Sequence, residues 1–139
     1  MSRAELEQAY TGAEYRALLP GADLVLKVGR QDSAGDERLR VAGVHESWAI
    51  VTPCNPRSQT QPPAVNAKAL QELRVALREA GVDHFNSVNR DSAGSWPDEP
   101  GFLLCDPPHG FAEALGRRFE QHAILAGCLG QAPQLIWLD

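Results

Sequence analysis

Apolar residues recur at helical spacing in the first part of the chain and alternate with polar residues soon after it. The apolar positions of residues 3–18 fall near one helical face, which predicts a helix there. Ser2 and Glu5 have the spacing of a capping box at its start. Residues 23–28 alternate and predict a strand.

The segment after this strand is polar and contains glycine. Residues 29–37 therefore predict a hairpin tip, and Leu39 and Val41 predict a short return strand. Residues 48–52 are mostly apolar and β-prone, which is typical of a central strand. The first helix and the hairpin would be additions at an edge of the sheet or over its other face.

The segment from 53 to 65 is rich in proline and polar residues, which excludes regular structure there. Asn66 predicts the N-cap of a helix that continues to Ala80, and Gly81 predicts its end. The remaining patterns predict, in order, a strand at 82–88, a polar loop at 89–101, a strand at 102–105, a helix at 109–120 and strands at 123–126 and 134–138.

From Trp48 onwards the predicted order is strand, helix, strand, strand, helix, strand and one further strand. The first six elements have the pattern of a split βαβ, the ferredoxin-like arrangement. We therefore predict a single α+β domain over residues 1–139. It would have a ferredoxin-like core, with two helices on one face of a mostly antiparallel sheet, and an added N-terminal helix, hairpin and C-terminal strand.

Composition and charge narrow the function classes. The chain has 13 basic and 18 acidic residues, and its net charge of −5 disfavours general nucleic-acid binding. No apolar run is long enough to span a membrane. The three cysteines are odd in number and far apart, whereas a secreted protein with a disulfide framework usually has an even number of closely spaced cysteines. The N-terminus is polar and lacks the apolar segment of a signal peptide. We expect a cytoplasmic protein without nucleic-acid or membrane partners.

The densest polar segment, residues 52–61, leaves the end of the predicted central strand and returns at the Asn66 helix. Ligands favour the crevice outside strand ends, and a helix N-terminus attracts anions. Asn55 would lie over the helix start, and Arg57 would offer a guanidinium fork to a carboxylate or phosphate. The alternative is an ordered connection in which Asn55 makes a turn, Asn66 caps a helix and Arg57 pairs with an acid.

Glu99 and Gln121 each precede a predicted strand. Both strands should run antiparallel to the central strand, so their starts should lie at the edge where that strand ends. We therefore predict one ligand-binding cluster, made of Asn55, Arg57, Asn66, Glu99 and Gln121. Glu99 could instead be a structural partner of Arg57, and Gln121 could satisfy backbone groups at a helix end.

The sequence supports a catalytic site or a metal site less strongly than it supports the ligand-binding cluster. Cys54 lies in the polar loop, where a helix dipole would lower its pKa, but no motif assigns a histidine as its base. Cys105 and His109 are four positions apart, yet two prolines intervene and no second close pair matches. We predict neither a metal site nor a cofactor.

The polar segments also match a family pattern. The matching residues are Thr52, Asn55-Pro56-Arg57-Ser58, Asn66 opening a Leu-rich helix, Trp96, Glu99-Pro100, Phe102, Phe119, Gln121 and Ala123-Ile124-Leu125. On these residues the chain resembles a bacterial family known as domain of unknown function 3293, from about Tyr10 to Leu138. In that family Ala and an aromatic residue typically separate the Thr from the Asn-Pro pair, where this chain has Pro53 and Cys54. The resemblance implies that the polar segments belong together, and it brings no reaction, cofactor or partner.

Three function classes stay open. A binding module would hold a small anionic ligand or a peptide carboxylate with Arg57 and the helix start. A protein-interaction domain would pair through an edge strand at 134–138, and a homodimer is one such form. A hydrolase or transferase would use Glu99 as general base or Cys54 as nucleophile. The sequence has no catalytic triad, metal quartet or phosphate loop, so the binding module is our first prediction.

Overall fold

The computed structural model describes residues 1–139 and has four helices and seven strands, which confirms the α+β class. The helices are α1 (Arg3–Gly12), α2 (Ser33–Ala42), α3 (Pro63–Ala80) and α4 (Phe111–Arg118). The strands are β1 (Glu14–Ala17), β2 (Leu24–Leu26), β3 (Ser47–Val51), β4 (His84–Arg90), β5 (Glu99–Cys105), β6 (Ala123–Cys128) and β7 (Gln134–Trp137). None of the helices combines the length and apolar character that a membrane span requires.

All seven strands form one sheet in the order β2-β1-β4-β5-β3-β6-β7, and every neighbouring pair runs antiparallel. The apolar strand β3 lies inside the sheet, between β5 and β6, as predicted. Its residue Ile50 lies opposite Leu103 of β5 and Leu125 of β6. Because β5 and β6 both run antiparallel to β3, their first residues lie at the edge where β3 ends.

Successive residues of β3 point to two hydrophobic cores on opposite faces of the sheet. Val51 packs in the core covered by α3 and α4, which contribute Leu73 and Leu115. The two helices that the sequence predicts for this part of the chain therefore share one face. Ile50 packs in the other core together with Leu39 of α2, a helix that the sequence did not predict.

The first helix is shorter than predicted. It ends at Gly12 rather than at residue 18, and the chain continues as β1. The predicted capping box is present, since Ser2 Oγ accepts a hydrogen bond from the Glu5 N–H at 3.1 Å. Tyr15 and Ala17 are the alternate buried positions of β1. The apolar residues of this segment are therefore buried with the two-residue period of a strand, although their spacing also fits a helix.

The predicted hairpin tip at 29–37 and the return strand after it are wrong, because α2 occupies most of this segment. Asp32 is its N-cap, and the Asp32 carboxylate accepts a hydrogen bond from the Gly35 N–H at 3.0 Å. Leu39 is fully buried, whereas Val41 is 80% exposed. Two apolar residues that the sequence places on one strand face therefore lie on different sides of a helix.

The long helix α3 begins at Pro63, before Asn66, and ends at Gly81 as predicted. Proline suits the first turn of a helix because its missing N–H would have no intrahelical partner there. Asn66 is therefore not the N-cap, and the predicted N-cap role is wrong. Strand β4 extends to Arg90 and strand β5 already begins at Glu99, so the polar loop between them is shorter than predicted.

Candidate functional site

A cavity of about 210 Å³ lies between α1 and the sheet, beside the loop that follows β3. Residues of α1, including Leu6, Ala9 and Tyr10, form its apolar side. Its polar side is formed by loop and strand residues, among them Asn55, Ser58, Asn89, Trp96, Glu99 and Gln121. Three of the five predicted site residues, Asn55, Glu99 and Gln121, thus line one cavity.

Strand register brings three cavity residues into one row across the sheet. Tyr15 of β1 lies opposite Asn89 of β4, and Asn89 lies opposite Glu99 of β5. Opposite residues of antiparallel strands project from the same face. The row therefore directs a phenol, an amide and a carboxylate toward the side of the sheet that carries α1.

Asn55 connects the loop after β3 to the start of α3. Its backbone is left-handed, with φ 50°, a conformation that asparagine tolerates better than most residues. Its N–H donates to Asn66 Oδ1 at 3.0 Å, and its Oδ1 accepts from Asn66 Nδ2 at 2.9 Å. The Gln61 N–H also donates to Asn55 Oδ1, at 3.0 Å. Asn66 therefore lies behind Asn55 and positions it without lining the cavity.

Glu99 is the half-buried carboxylate of the cavity. Its Oε2 accepts hydrogen bonds from Asn55 Nδ2 at 2.7 Å and from Trp96 Nε1 at 3.1 Å. Its Oε1 accepts none and retains accessible surface. Burial raises the pKa of Glu99, and the hydrogen bonds from Asn55 and Trp96 offset only part of that rise.

Two tyrosines lie close to this carboxylate. Burial is the main cause that raises the pKa of Tyr10 to about 12; the Ser58 hydroxyl lowers it and the Glu99 charge raises it further. The pKa of Tyr15 is raised in the same direction, first by burial and then by Tyr10 and Glu99. The Tyr15 hydroxyl donates to the Tyr10 carbonyl oxygen at 3.0 Å. Both phenols therefore stay protonated at neutral pH.

Gln121 lies just before β6 and is buried. Its Nε2 donates to the carbonyl oxygens of Cys54, at 3.0 Å, and Phe119, at 3.3 Å. The predicted role of satisfying backbone groups after a helix is thus confirmed, since Phe119 is the C-cap of α4. Its Oε1 has no hydrogen-bond partner and retains accessible surface in the cavity.

Arg57 points away from the other predicted site residues. Its side chain is 69% exposed, and its Nη2 lies 3.1 Å from Glu120 Oε1. Its N–H donates to the Glu120 carbonyl oxygen at 2.8 Å. The backbone at Arg57 is left-handed, with φ 55°, and it turns the side chain toward Glu120. The alternative that Arg57 pairs with an acid is confirmed, and that acid is Glu120 rather than Glu99.

Cys54 is not the activated thiol that a nucleophile requires. Its exposed fraction is 1%, and its Sγ donates to the Pro100 carbonyl oxygen at 3.5 Å. Burial raises the pKa of the Cys54 thiol, and the hydrogen bond with Thr52 offsets only part of this rise. The predicted lowering of its pKa is therefore wrong. No three or more His, Cys, Asp or Glu side chains are grouped so as to hold a metal ion.

A model of the family described as "Protein of unknown function (DUF3293)" matches residues 51–124, slightly more than half of the chain. The chain belongs to the DUF3293 family. Comparisons with curated proteins and with solved structures give no match. The match is shorter than the predicted range of the resemblance, which extends from about Tyr10 to Leu138.

The part of the chain that matches DUF3293 supplies the polar side of the cavity. Asn55, Asn89, Glu99 and Gln121 all lie within residues 51–124, whereas α1 and β1 precede that range. The apolar and phenolic side therefore comes from a segment outside the match. In this DUF3293 protein the cavity is complete only where the two segments pack together.

Sequence reasoning missed the phenolic and cross-strand part of the site. The sequence pattern predicts one long helix that includes Tyr10 and Tyr15, and such a helix does not reveal their position beside Glu99. Asn89 was assigned to a loop, although it lies in β4 opposite Glu99. The alternation of buried residues after Gly12 was the available signal, because it indicates a strand that can pair with β4.

Proposed function

We propose that this protein is a binding module that holds a small molecule in the cavity between α1 and the sheet. The observation that carries the proposal is Glu99 Oε1, an oxygen of a cavity-lining carboxylate that accepts no hydrogen bond within the protein. Half-buried charged groups ordinarily have partners in their surroundings, because desolvation is costly. Since the protein supplies a partner for Oε2 only, Oε1 is the natural contact of a ligand.

The ligand predicted from the sequence was a small anion or carboxylate held by Arg57. That prediction depended on a guanidinium that lies outside the cavity and pairs with Glu120. The guanidinium in the cavity wall is that of Arg90, which pairs with Asp98 at 3.3 Å. The proposal is therefore a small polar ligand, and it no longer depends on a negative charge.

Thermal unfolding in the presence of a broad set of small metabolites tests the proposal. A ligand that binds only the folded protein raises the free energy of unfolding by RT ln(1 + L/Kd), where L is the free ligand concentration, and so raises the midpoint of unfolding. We expect at least one compound to do so. Ala9→Trp should abolish the shift, because Ala9 lines the cavity and a large ring there fills it.

Ala4→Trp is the matched control, since Ala4 lies on the same helix outside the cavity wall. It should retain the shift, as should Arg57→Ala. If no compound raises the midpoint, or if Ala9→Trp responds as wild type does, the proposed binding module is wrong.

An acid–base role of Glu99 is the second candidate. The raised pKa of Glu99 is the feature that favours it, because general acids and bases work best near the pH of the reaction. Cys54, the other predicted catalytic residue, is not in the cavity wall. Chemical conversion of a bound compound by wild type but not by Glu99→Gln would place this candidate first.

A ferredoxin-like core is part of the same proposal. The order β4-β5-β3-β6, with α3 between β3 and β4 and α4 between β5 and β6, supports a split βαβ pattern.

We also propose that the protein is bacterial and that it is located in the cytoplasm. The three cysteines are free, as expected in a reducing compartment. A homodimer formed through the edge strand β7 would appear as a doubled mass in a sizing experiment.

A further inference from the structure

We infer that the ligand of this cavity carries a protonated amine, which donates hydrogen bonds to Glu99 Oε1 and Gln121 Oε1 beside the rings of Tyr10 and Trp96. The inference rests on the proposed function and specifies its ligand class. It follows from three independent properties of the cavity wall: the direction of its hydrogen bonds, its charge and its aromatic content.

Three side-chain N–H donors of the wall are already used within the protein. Gln121 Nε2 donates to two backbone carbonyls, and Asn55 Nδ2 and Trp96 Nε1 both donate to Glu99 Oε2. The oxygens without a hydrogen-bond partner include Glu99 Oε1 and Gln121 Oε1, which retain accessible surface, and Asn89 Oδ1, which is buried. Unpaired acceptors in a partly closed cavity favour a ligand that donates hydrogen bonds, because a buried acceptor without a donor is destabilising.

Charge in the wall favours a cation. Arg90 is compensated by Asp98. Asp91 also lines the cavity, and its Oδ2 accepts hydrogen bonds from the N–H groups of Ser95 and Trp96. No cationic side chain is paired with Glu99, whose hydrogen-bond partners are both neutral. Glu99 and Asp91 therefore both lack a cationic partner in the wall, and an ammonium group beside Glu99 supplies the missing opposite charge.

Aromatic rings complete the recognition. Tyr10, Tyr15 and Trp96 all line the cavity. The faces of such rings attract ammonium groups, and this attraction increases when water is excluded. A carboxylate ligand would meet the same rings and Glu99 unfavourably, since both repel negative charge. The wall thus discriminates by charge between ligands of the same size.

Titrations with n-butylammonium, n-butanol and butyrate test the inference, because the three probes share one alkyl chain and differ in the head group. NMR chemical-shift titration of the backbone amides measures each dissociation constant. We expect n-butylammonium to bind about tenfold more tightly than n-butanol, and butyrate to bind most weakly. Lowering the pH through the titration of Glu99 should weaken n-butylammonium binding and leave n-butanol binding unchanged.

Glu99→Gln should remove the preference for n-butylammonium over n-butanol, while Ala9→Trp should abolish binding of both and Ala4→Trp should retain it. Equal binding of the three probes, or a preference for butyrate, would overturn the amine and leave the binding module standing. Absence of n-butylammonium binding overturns the amine as well. Thermal unfolding in the presence of the metabolite set then tests separately whether the cavity binds any small molecule. The pH dependence in wild type keeps the test valid even if Glu99→Gln fails to fold.

Discussion

The side-chain amide of Asn55 donates a 2.7 Å hydrogen bond to Glu99 Oε2, across 44 positions of the sequence. Its oxygen simultaneously accepts from Asn66 Nδ2 and from the Gln61 N–H. One buried side chain therefore joins the loop after β3, the helix α3 and the first residue of β5. These hydrogen bonds fix the position of Glu99 in the polar side of the cavity relative to the loop and to α3.

Replacing Asn55 separates the contribution of its side chain from that of its backbone. Asn55→Gly keeps a residue that adopts φ 50° readily, so it should lower the free energy of unfolding only through the lost hydrogen bonds, by about 1–3 kcal/mol. Asn55→Ala should lower it by roughly a further 1–2 kcal/mol, because a Cβ is strained in the left-handed region. Urea unfolding of both variants measures the difference. Equal stability of the Gly and Ala variants would contradict the left-handed backbone.

Glu99→Gln should change how stability depends on pH. Because burial raises the pKa of Glu99, the folded protein keeps a proton that the unfolded chain releases above about pH 4.3. Wild-type stability should therefore fall as pH rises through the interval between the unfolded and folded pKa values. Gln retains an acceptor for Asn55 and Trp96 and does not titrate, so the variant should lose this contribution.

Urea unfolding of wild type and Glu99→Gln at several pH values gives the comparison. The variant should be the more stable of the two at pH 7, and the gain should disappear below about pH 4, where Glu99 becomes protonated in both states. A constant difference across this range, or a wild type that gains stability over Glu99→Gln as pH rises, would contradict a raised pKa.

The second half of the fold follows from the sequence more closely than the first. Residues 48–51 are apolar, as expected of a strand that is buried on both faces, and Gly81 ends α3 where a left-handed residue is needed. The α2 segment gave a weak signal because Leu39 is its main apolar anchor and Val41 points to solvent. A helix held by so few buried residues shows little periodicity.

The candidate site could be predicted only in part for a related reason. Asn55, Glu99 and Gln121 were found because antiparallel strands bring their ends to one edge. The predicted position of the Arg57 side chain in the ligand-binding cluster is wrong. The direction of this side chain depends on a left-handed backbone at a residue other than glycine, and residue patterns do not reveal such a backbone. The position of Tyr10 in the cavity wall could not be predicted, because it depends on how α1 packs on the sheet.

Asp106 provides a test at the other end of β3. Burial alone would raise its pKa, but hydrogen bonds from the N–H groups of His45, Glu46 and Ser47, at 2.7–3.0 Å, hold the pKa of Asp106 below its ordinary value. A lowered folded pKa contributes stability above about pH 3.9 that is lost as pH falls through the folded value. Asp106→Asn should therefore be less stable at pH 7, by about 1–2 kcal/mol.

Asn is a suitable replacement because it tolerates the φ of 48° at this position. The difference between wild type and Asp106→Asn should shrink below about pH 4 as the wild-type carboxylate becomes protonated. Urea unfolding at neutral and acidic pH measures it. A difference that stays constant down to the acid limit would show that the charge on Asp106 contributes nothing.

Cysteine labelling should follow burial. Cys128 is exposed, whereas Cys54 and Cys105 are buried and burial raises the pKa of both thiols, that of Cys105 to about 11. At neutral pH iodoacetamide should therefore modify Cys128 first, and Cys54 and Cys105 only in denaturant. Mass spectrometry of the native and unfolded protein locates the modified residues. Rapid native labelling of Cys54 would restore the nucleophile hypothesis.

Gly127 should be required for the close approach of β6 to β3. It lies opposite Trp48, and a Cβ at this position would come within 2.5 Å of the indole atom Cζ2. Gly127→Ala should therefore lower the free energy of unfolding by about 1–3 kcal/mol through overpacking, although Ala has the higher intrinsic stability in most strands.

A double-mutant cycle with Trp48→Phe identifies the cause. Trp48 is buried, so Trp48→Phe should itself be destabilising, but phenylalanine lacks the second ring that the Ala methyl group would meet. In the Trp48→Phe background, Gly127→Ala should lose most of its destabilising effect, which gives a favourable interaction energy between the two substitutions. If the two substitutions changed the free energy of unfolding additively, their side chains would not interact. Gly127 would then be needed for its backbone conformation rather than for the space beside Trp48.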